Sequence, residues 1–270
     1  MATKQKLPKD YENNPFFIAT KGLTLFFDLA RGLAFLLVAL SVLNLFSGDW
    51  NTESDADNPV DTFTQIFSGW SVNDWLVAGF ATLIIGMAAM LLFALFGGVS
   101  AYASARIARG HKVSLGEAFR VAFDNLWAFL WLQVIISVKT FLWFLLLIIP
   151  GIIMSVRYSL SGVAFFDKDL RGNTAIKESL RLTHGAWLTT FAASSLFNMI
   201  TLGVISWVTS VGTNAVLYHQ FDKLGDKKPD AHWLSWFTLV LPFILFFLFI
   251  GIVIVAVGTF IAINGGNFSE

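Results

Sequence analysis

The residue of this chain with the most evident chemical potential is Arg157, which stands with Pro150-Gly151 in the apolar run "LLLIIPGIIMSVRYSL". A guanidinium inside a membrane-length segment costs roughly 2.5–3.5 kcal/mol on insertion scales, so it must face an interior and find partners there. Asp28, three residues before Arg31 in the first apolar run, is one partner in prospect, and carbonyls freed by Pro150 are another. The chemistry on offer is contact with an anion or a lipid headgroup. The plainer alternative is a structural ion pair or a snorkelling side chain. Arg120, Lys177 and Arg181 extend the same idea, as cations on surface helices that would meet anionic headgroups. Asn198 and Asn214 stand among Ser194, Ser195, Thr201, Ser206, Thr209, Ser210 and Thr213. They either line a polar path for a small solute or serve as helix–helix contacts, the commoner use of such residues in membranes.

Other chemistries find little support. The loop "SDADNPVD" offers Asp55, Asp57 and Asp61, but it lacks the glycine and closing glutamate of a calcium loop, and Pro59 falls among the ligand positions. His111, His184, His219 and His232 show no metal-ligand spacing, and there is no cysteine. No nucleophile, phosphate-loop or dinucleotide motif stands where a fold could use it. The expectation is a non-enzymatic protein without catalytic residues, cofactor or metal. A net charge of zero offers no field for nucleic acid.

These residues need elements to hold them, and composition says which. With 56% hydrophobic and 13% charged residues, mean hydropathy +0.69 and 28 phenylalanines in 270 residues, the chain is expected to be an all-α, polytopic helical membrane protein. Its N-terminus is too polar for a cleaved signal, so the first apolar run should remain as an anchor. Lys and Arg gather in four segments, around Lys4–Lys21, Arg106–Arg120, Lys168–Arg181 and Lys223–Lys228, whereas 47–74 carries only acidic charge. The positive-inside rule then puts residues 1–21 in the cytoplasm, the loop 47–74 outside, one helical membrane domain over 22–263, and the tail 264–270 outside. The membrane in question is the cell (inner) membrane. Spans are expected at 22–46, 75–105 and 234–263. Arg120–Lys168 and Arg181–Lys223 are each long enough for a hairpin of two passes, the first turning or kinking at Pro150 and Gly151, with Lys139 at an outer turn. The total is six to seven passes, or five with two re-entrant hairpins. In the second span Gly97, Ala101 and Ala105 offer a small-residue packing face.

Two amphipathic helices should lie at the inner surface. One follows Ser114, with Glu117 at capping-box spacing; the other begins at Asn173 or Thr174 and stops at Gly185. "EAFRV" from Glu117 and "ESLRL" from Glu178, each running on to Trp127 or Trp187, read as a repeated unit over 110–167 and 171–222, with coincidence as the alternative. Phe63, Ile66, Phe67 and Trp70 share one face of an outer interfacial turn.

Ile149-Pro150-Gly151-Ile152, Arg157-Tyr158, Asp167, then Ala175-Ile176, Ser179, Leu182-Thr183 and Gly185 form a pattern over roughly Ser114 to Leu224. It resembles the membrane domain of some bacterial glycerophosphodiester phosphodiesterases and of related bacterial integral membrane proteins. In those enzymes the activity belongs to a separate soluble barrel with a metal-binding His and acidic cluster, which this sequence does not show. The resemblance therefore implies a membrane module that contacts lipid or supports a partner on its cytoplasmic face, and no enzymatic activity. The rival expectation is a transporter or permease-like component, with Arg157, Asn198 and Asn214 along its path.

Overall fold

The computed structural model describes residues 11–46, 70–201, 206–225, 228 and 230–265. The expectations for 1–10, for most of the acidic loop and its aromatic turn, and for the end of the tail lie outside them. Eleven α-helices, and no strand, are present among the described residues. The apolar runs leave helix as the fold of least cost, because only a helix satisfies its own backbone within one segment.

The first run departs from the expected straight span. Helix α1, Pro15–Leu29, starts at Asn14, whose side chain accepts the Phe16 N–H with Pro15 in the first turn. It ends at Ala30, and α2, Arg31–Phe46, leaves at 115° to it. Asp28 and Arg31 bracket this break. The Leu29 carbonyl freed by it accepts the Val113 N–H at 2.8 Å, so the bend is tied to the loop that follows α3.

Helix α3, Val72–Ala108, is the long second span and is capped by a reciprocal Ser71–Asp74 box. Its first half is exposed all round, and its second half enters the core. Amphipathic α4, Leu115–Asp124, follows, then α5, Leu126–Leu146. The turn into α6, Ile148–Tyr158, is made by one extended residue, Leu147. Pro150 falls in the first turn of α6, where its missing N–H is not needed. Gly151 lets the returning helix touch Phe144, because a Cβ there would lie 2.6 Å from the Phe144 ring. This is the expected hairpin, turned three residues before the proline. Lys139 does not mark it: the lysine sits within α5, and its Nζ donates to Asn173 Oδ1 at 2.7 Å.

Helix α7, Ser161–Asp167, continues α6, and α8, Asn173–Leu182, is the second amphipathic helix. It stops before Gly185, which takes φ +74°. A second pair follows, α9, Trp187–Ile200, and α10, Ser206–Leu224, and then α11, Trp233–Gly265. Four stretches are long and apolar enough to cross a membrane, namely Val72–Ala108, Leu126–Leu146, Ile148–Asp167 and Trp233–Thr259, or five if the bent α1–α2 pair is one span. Such helices are consistent with a multi-pass membrane protein. The α9–α10 pair does not join them. At 14 residues α9 is about 21 Å long, short of the roughly 30 Å of a hydrocarbon core.

The core gathers α1, α10, the second half of α3 and the short helices around them. Phe129, Phe165 and Phe166 extend it toward α5. Helices α4 and α8 are both ten residues long and each leads to a tryptophan, as expected. Their glutamates part company. Glu117 does not close a capping box but accepts the Tyr102 hydroxyl at 2.6 Å, whereas Glu178 binds Arg181 and Lys168.

Candidate functional site

Where α3, α7, α8 and α10 end side by side, six charged groups and a tyrosine interlock. Asp167, closing α7, has a side chain only 7% exposed and accepts three hydrogen bonds. Arg109 Nε donates to Asp167 Oδ1 at 2.8 Å, Arg109 Nη2 donates to Oδ2, and the Tyr218 hydroxyl donates to Oδ2 at 2.8 Å. Arg109 Nη2 also reaches Asp222 Oδ2 at 3.0 Å. Lys168 Nζ bridges Asp222 and Glu178, 2.7 Å from each, and Arg181 forks onto Glu178 at 2.7 and 2.9 Å. Three cations therefore meet three carboxylates, and the cluster is neutral. It ties four helix ends together with charge-assisted bonds. Beside it His219 Nδ1 donates to the Ala108 carbonyl at 2.8 Å, a further tie from α10 to the end of α3.

The Arg181 guanidinium and the Lys168 ammonium outweigh burial and hold the Glu178 carboxyl down to about 2. A carboxyl depressed in the folded state adds stability that is complete above its unfolded value, about 4.3, and that is lost as pH falls through the folded one. The melting temperature in detergent is thus expected to fall between about pH 4.3 and 2. Glu178→Gln should lower the neutral-pH melting temperature and flatten this acid limb. A variant with the wild-type acid limb would remove Glu178 from the account.

One turn inward from this cluster lies a cavity of about 270 Å³ between α3, α5, α6, α7 and α10. Ser100, Gln133, Tyr158, Ser159, Ser210 and Asn214 are among its polar lining, with Phe129, Ile136 and Val163 among its apolar walls. Ser104 bridges α3 to α10 beside it, donating to the Val211 carbonyl at 2.9 Å.

The residues singled out from sequence divide. Arg157 turns to neither Asp28 nor a carbonyl at Pro150. Its Nη2 donates to the Leu180 carbonyl at 3.2 Å, and its own carbonyl accepts the Ser179 hydroxyl at 2.6 Å. It therefore caps the C-terminal end of α8, where carbonyls lack partners within the helix. Arg181 belongs to the neutral cluster. Arg120 and Lys177 are exposed and make no ion pair among the described residues. Asn198 and Asn214 lie apart in role: Asn198 donates to the Ser194 carbonyl and faces Thr209 between α9 and α10, while Asn214 lines the cavity. Arg109, Lys168, Tyr218 and Asp222 escaped the sequence reading as a site, although Tyr218 and Asp222 stand one turn apart on one helix face. Asp167 entered it only through the resemblance.

Among the described residues no group of three or more acidic or histidine side chains is placed to hold a metal ion. No family model, no curated protein and no solved structure matches this chain.

Proposed function

We propose that this chain is a non-enzymatic module of the cell membrane that binds anionic lipid, or holds a membrane partner, through its cytoplasmic face. The observation that carries this reading is the contrast between cations. Arg109, Lys168 and Arg181 are neutralised in the cluster, whereas Arg120 and Lys177, on the two amphipathic helices, keep uncompensated charge exposed. The topology that goes with it has five passes: the bent α1–α2 pair, α3, α5, α6–α7 and α11. The α9–α10 pair is re-entrant from the cytoplasmic side. An odd count sets the N-terminus inside and the C-terminus outside, in keeping with the basic segments.

A basic side chain near an anionic membrane surface contributes about 1 kcal/mol. Arg120→Ala with Lys177→Ala should therefore weaken retention of phosphatidylglycerol by about thirtyfold. Native mass spectrometry of the full chain from mixed micelles reads this directly. Undiminished retention in the double variant would sink the lipid reading, and loss of a co-purifying polypeptide in the same variant would assign the face to a protein partner.

A second reading, a permease-like component, is favoured by the polar cavity between apolar helices. Asn214→Ala would then reduce solute flux in liposomes without unfolding the protein. Arg157 and Asn198 drop out of that path because neither lines the cavity.

A further inference from the structure

The geometry points to the cavity as a binding site for one uncharged, polyhydroxylated ligand, a polyol or sugar of up to about six carbons. The inference rests on the second reading for the cavity alone and not on movement of the ligand. Hydrogen-bonding capacity is the first ground. The Ser100 hydroxyl is buried there without a partner, and the side-chain amides of Gln133 and Asn214 make no hydrogen bond among the described residues. Each amide carries two donors and one acceptor, so the walls hold far more capacity than they use. Leaving the buried Ser100 hydroxyl unpaired costs free energy that an occupant with hydroxyls would recover, and the half-buried amides of Gln133 and Asn214 would add bonds to it.

Charge is the second ground. No Asp, Glu, Lys, Arg or His lines the cavity, so an ion inside would lack a counter-charge in a low-dielectric setting. The third is shape. About 270 Å³ corresponds to about nine waters at liquid density, room enough for the twelve heavy atoms of a six-carbon polyol. Phe129 and Ile136 offer its C–H groups apolar contact, with the Gln133 amide between them on the same face of α5.

The ionic cluster completes the site. Three lining helices carry cluster residues one turn beyond the cavity: Ser104 precedes Ala108-Arg109, Val163 precedes Asp167, and Asn214 precedes Tyr218. A turn is about 5.4 Å, so the cluster sits directly over that end.

The test is equilibrium dialysis of labelled D-glucitol against the full chain in nanodiscs, with labelled D-gluconate, similar in size but anionic, alongside. Monoglucosyldiacylglycerol in mixed micelles, read by native mass spectrometry, probes the same chemistry carried on a lipid. Saturable binding of glucitol at one per chain is expected, with gluconate excluded. Asn214→Leu should weaken it at least tenfold. Gly97→Leu should do the same by filling the space, since a Cβ there stands at ordinary contact distance, 3.5 Å from Phe129. Ser100→Ala is the milder variant should either of these fail to fold, with a loss of several-fold. Retention of monoglucosyldiacylglycerol in place of glucitol, lost in the same variants, supports the site and makes its ligand a lipid headgroup. Equal binding of gluconate, or no saturable binding of any probe, overturns the proposal. Binding without flux in liposomes leaves the site standing and removes the permease reading.

Discussion

Gly212→Val is expected to leave no folded, monodisperse protein. Helices α1 and α10 cross with their backbones in contact at Gly22 and Gly212. A Cβ on Gly212 would stand 2.0 Å from the Gly22 carbonyl oxygen and 2.3 Å from its carbon. The reverse holds as well: a Cβ on Gly22 would lie 2.5 Å from the Gly212 carbonyl carbon. Every atom met is backbone, so no side chain can swing aside. The two helices would have to separate along their whole contact, which buries Ile18, Leu25 and Phe26 on one side and Val208, Val211 and Ala215 on the other. Overpacking costs typically 1–3 kcal/mol where neighbours can yield, and here the cost should exceed about 3 kcal/mol. Small residues at such crossings are the usual device for close helix approach in lipid, where water supplies no drive for association. Size-exclusion profiles and thermal melts in detergent check this. Gly212→Ala should lower the melting temperature steeply, and Gly86→Ala, with open space around its Cβ, should leave it unchanged or slightly raised. Equal melting temperatures for the two alanine variants would mean that the crossing does not exist as described.

That crossing marks the limit of what the sequence conveys. A glycine in an apolar run permits close approach without requiring it, as Gly86 shows, and nothing near Gly22 says that its partner stands some 190 positions away. Local features were legible because local residues make them: the Ser114 cap, the stop at Gly185, the hairpin near Pro150-Gly151 and the long apolar helices. The break at Ala30 had a visible sign in Asp28 and Arg31, which do not suit an uninterrupted span. The count of six to seven passes came from the length between basic segments, whereas four or five described stretches are long and apolar enough to cross a membrane. Helix α9 fits such a segment and is still short of a bilayer. Charges posed a different difficulty. Lys168, Arg109 and Arg181 read as topology markers, and each does end a helix near others of its kind. Glu178 lies three residues before Arg181, but only folding shows that Asp167 neutralises Arg109 and that Asp222 reaches both Arg109 and Lys168. Asn198 and Asn214 are alike in sequence context, yet one packs a helix pair and the other faces a cavity, a difference set by which side of two short helices the core occupies.

Asp167→Ala should be the most damaging single change among the charged residues. Its side chain is 7% exposed and accepts from Arg109 twice and from Tyr218 once. Truncation leaves the Tyr218 hydroxyl buried without an acceptor and Arg109 held by Asp222 alone. Removing one partner of a buried pair costs 3–5 kcal/mol, and because Arg109 is 41% exposed, a loss of about 2 kcal/mol is the better expectation. Asp169→Asn is the control: Asp169 pairs with Arg171 at 83% exposure, asparagine tolerates the φ of +50° there, and the change should alter stability by well under 1 kcal/mol. Combining Arg109→Ala with Asp167→Ala should cost less than the two losses added, as for residues in one network. The same variant reports on the cavity. The chain has no cysteine, so Ser100→Cys places a single thiol on the cavity wall. If the cluster closes that end, a water-soluble thiol reagent should label Cys slowly in the otherwise unaltered protein and at least tenfold faster once Asp167→Ala unties α3, α7 and α10. Equal rates, with stability lowered as expected, would make the cluster a fastening of helix ends and leave the cavity open by another route.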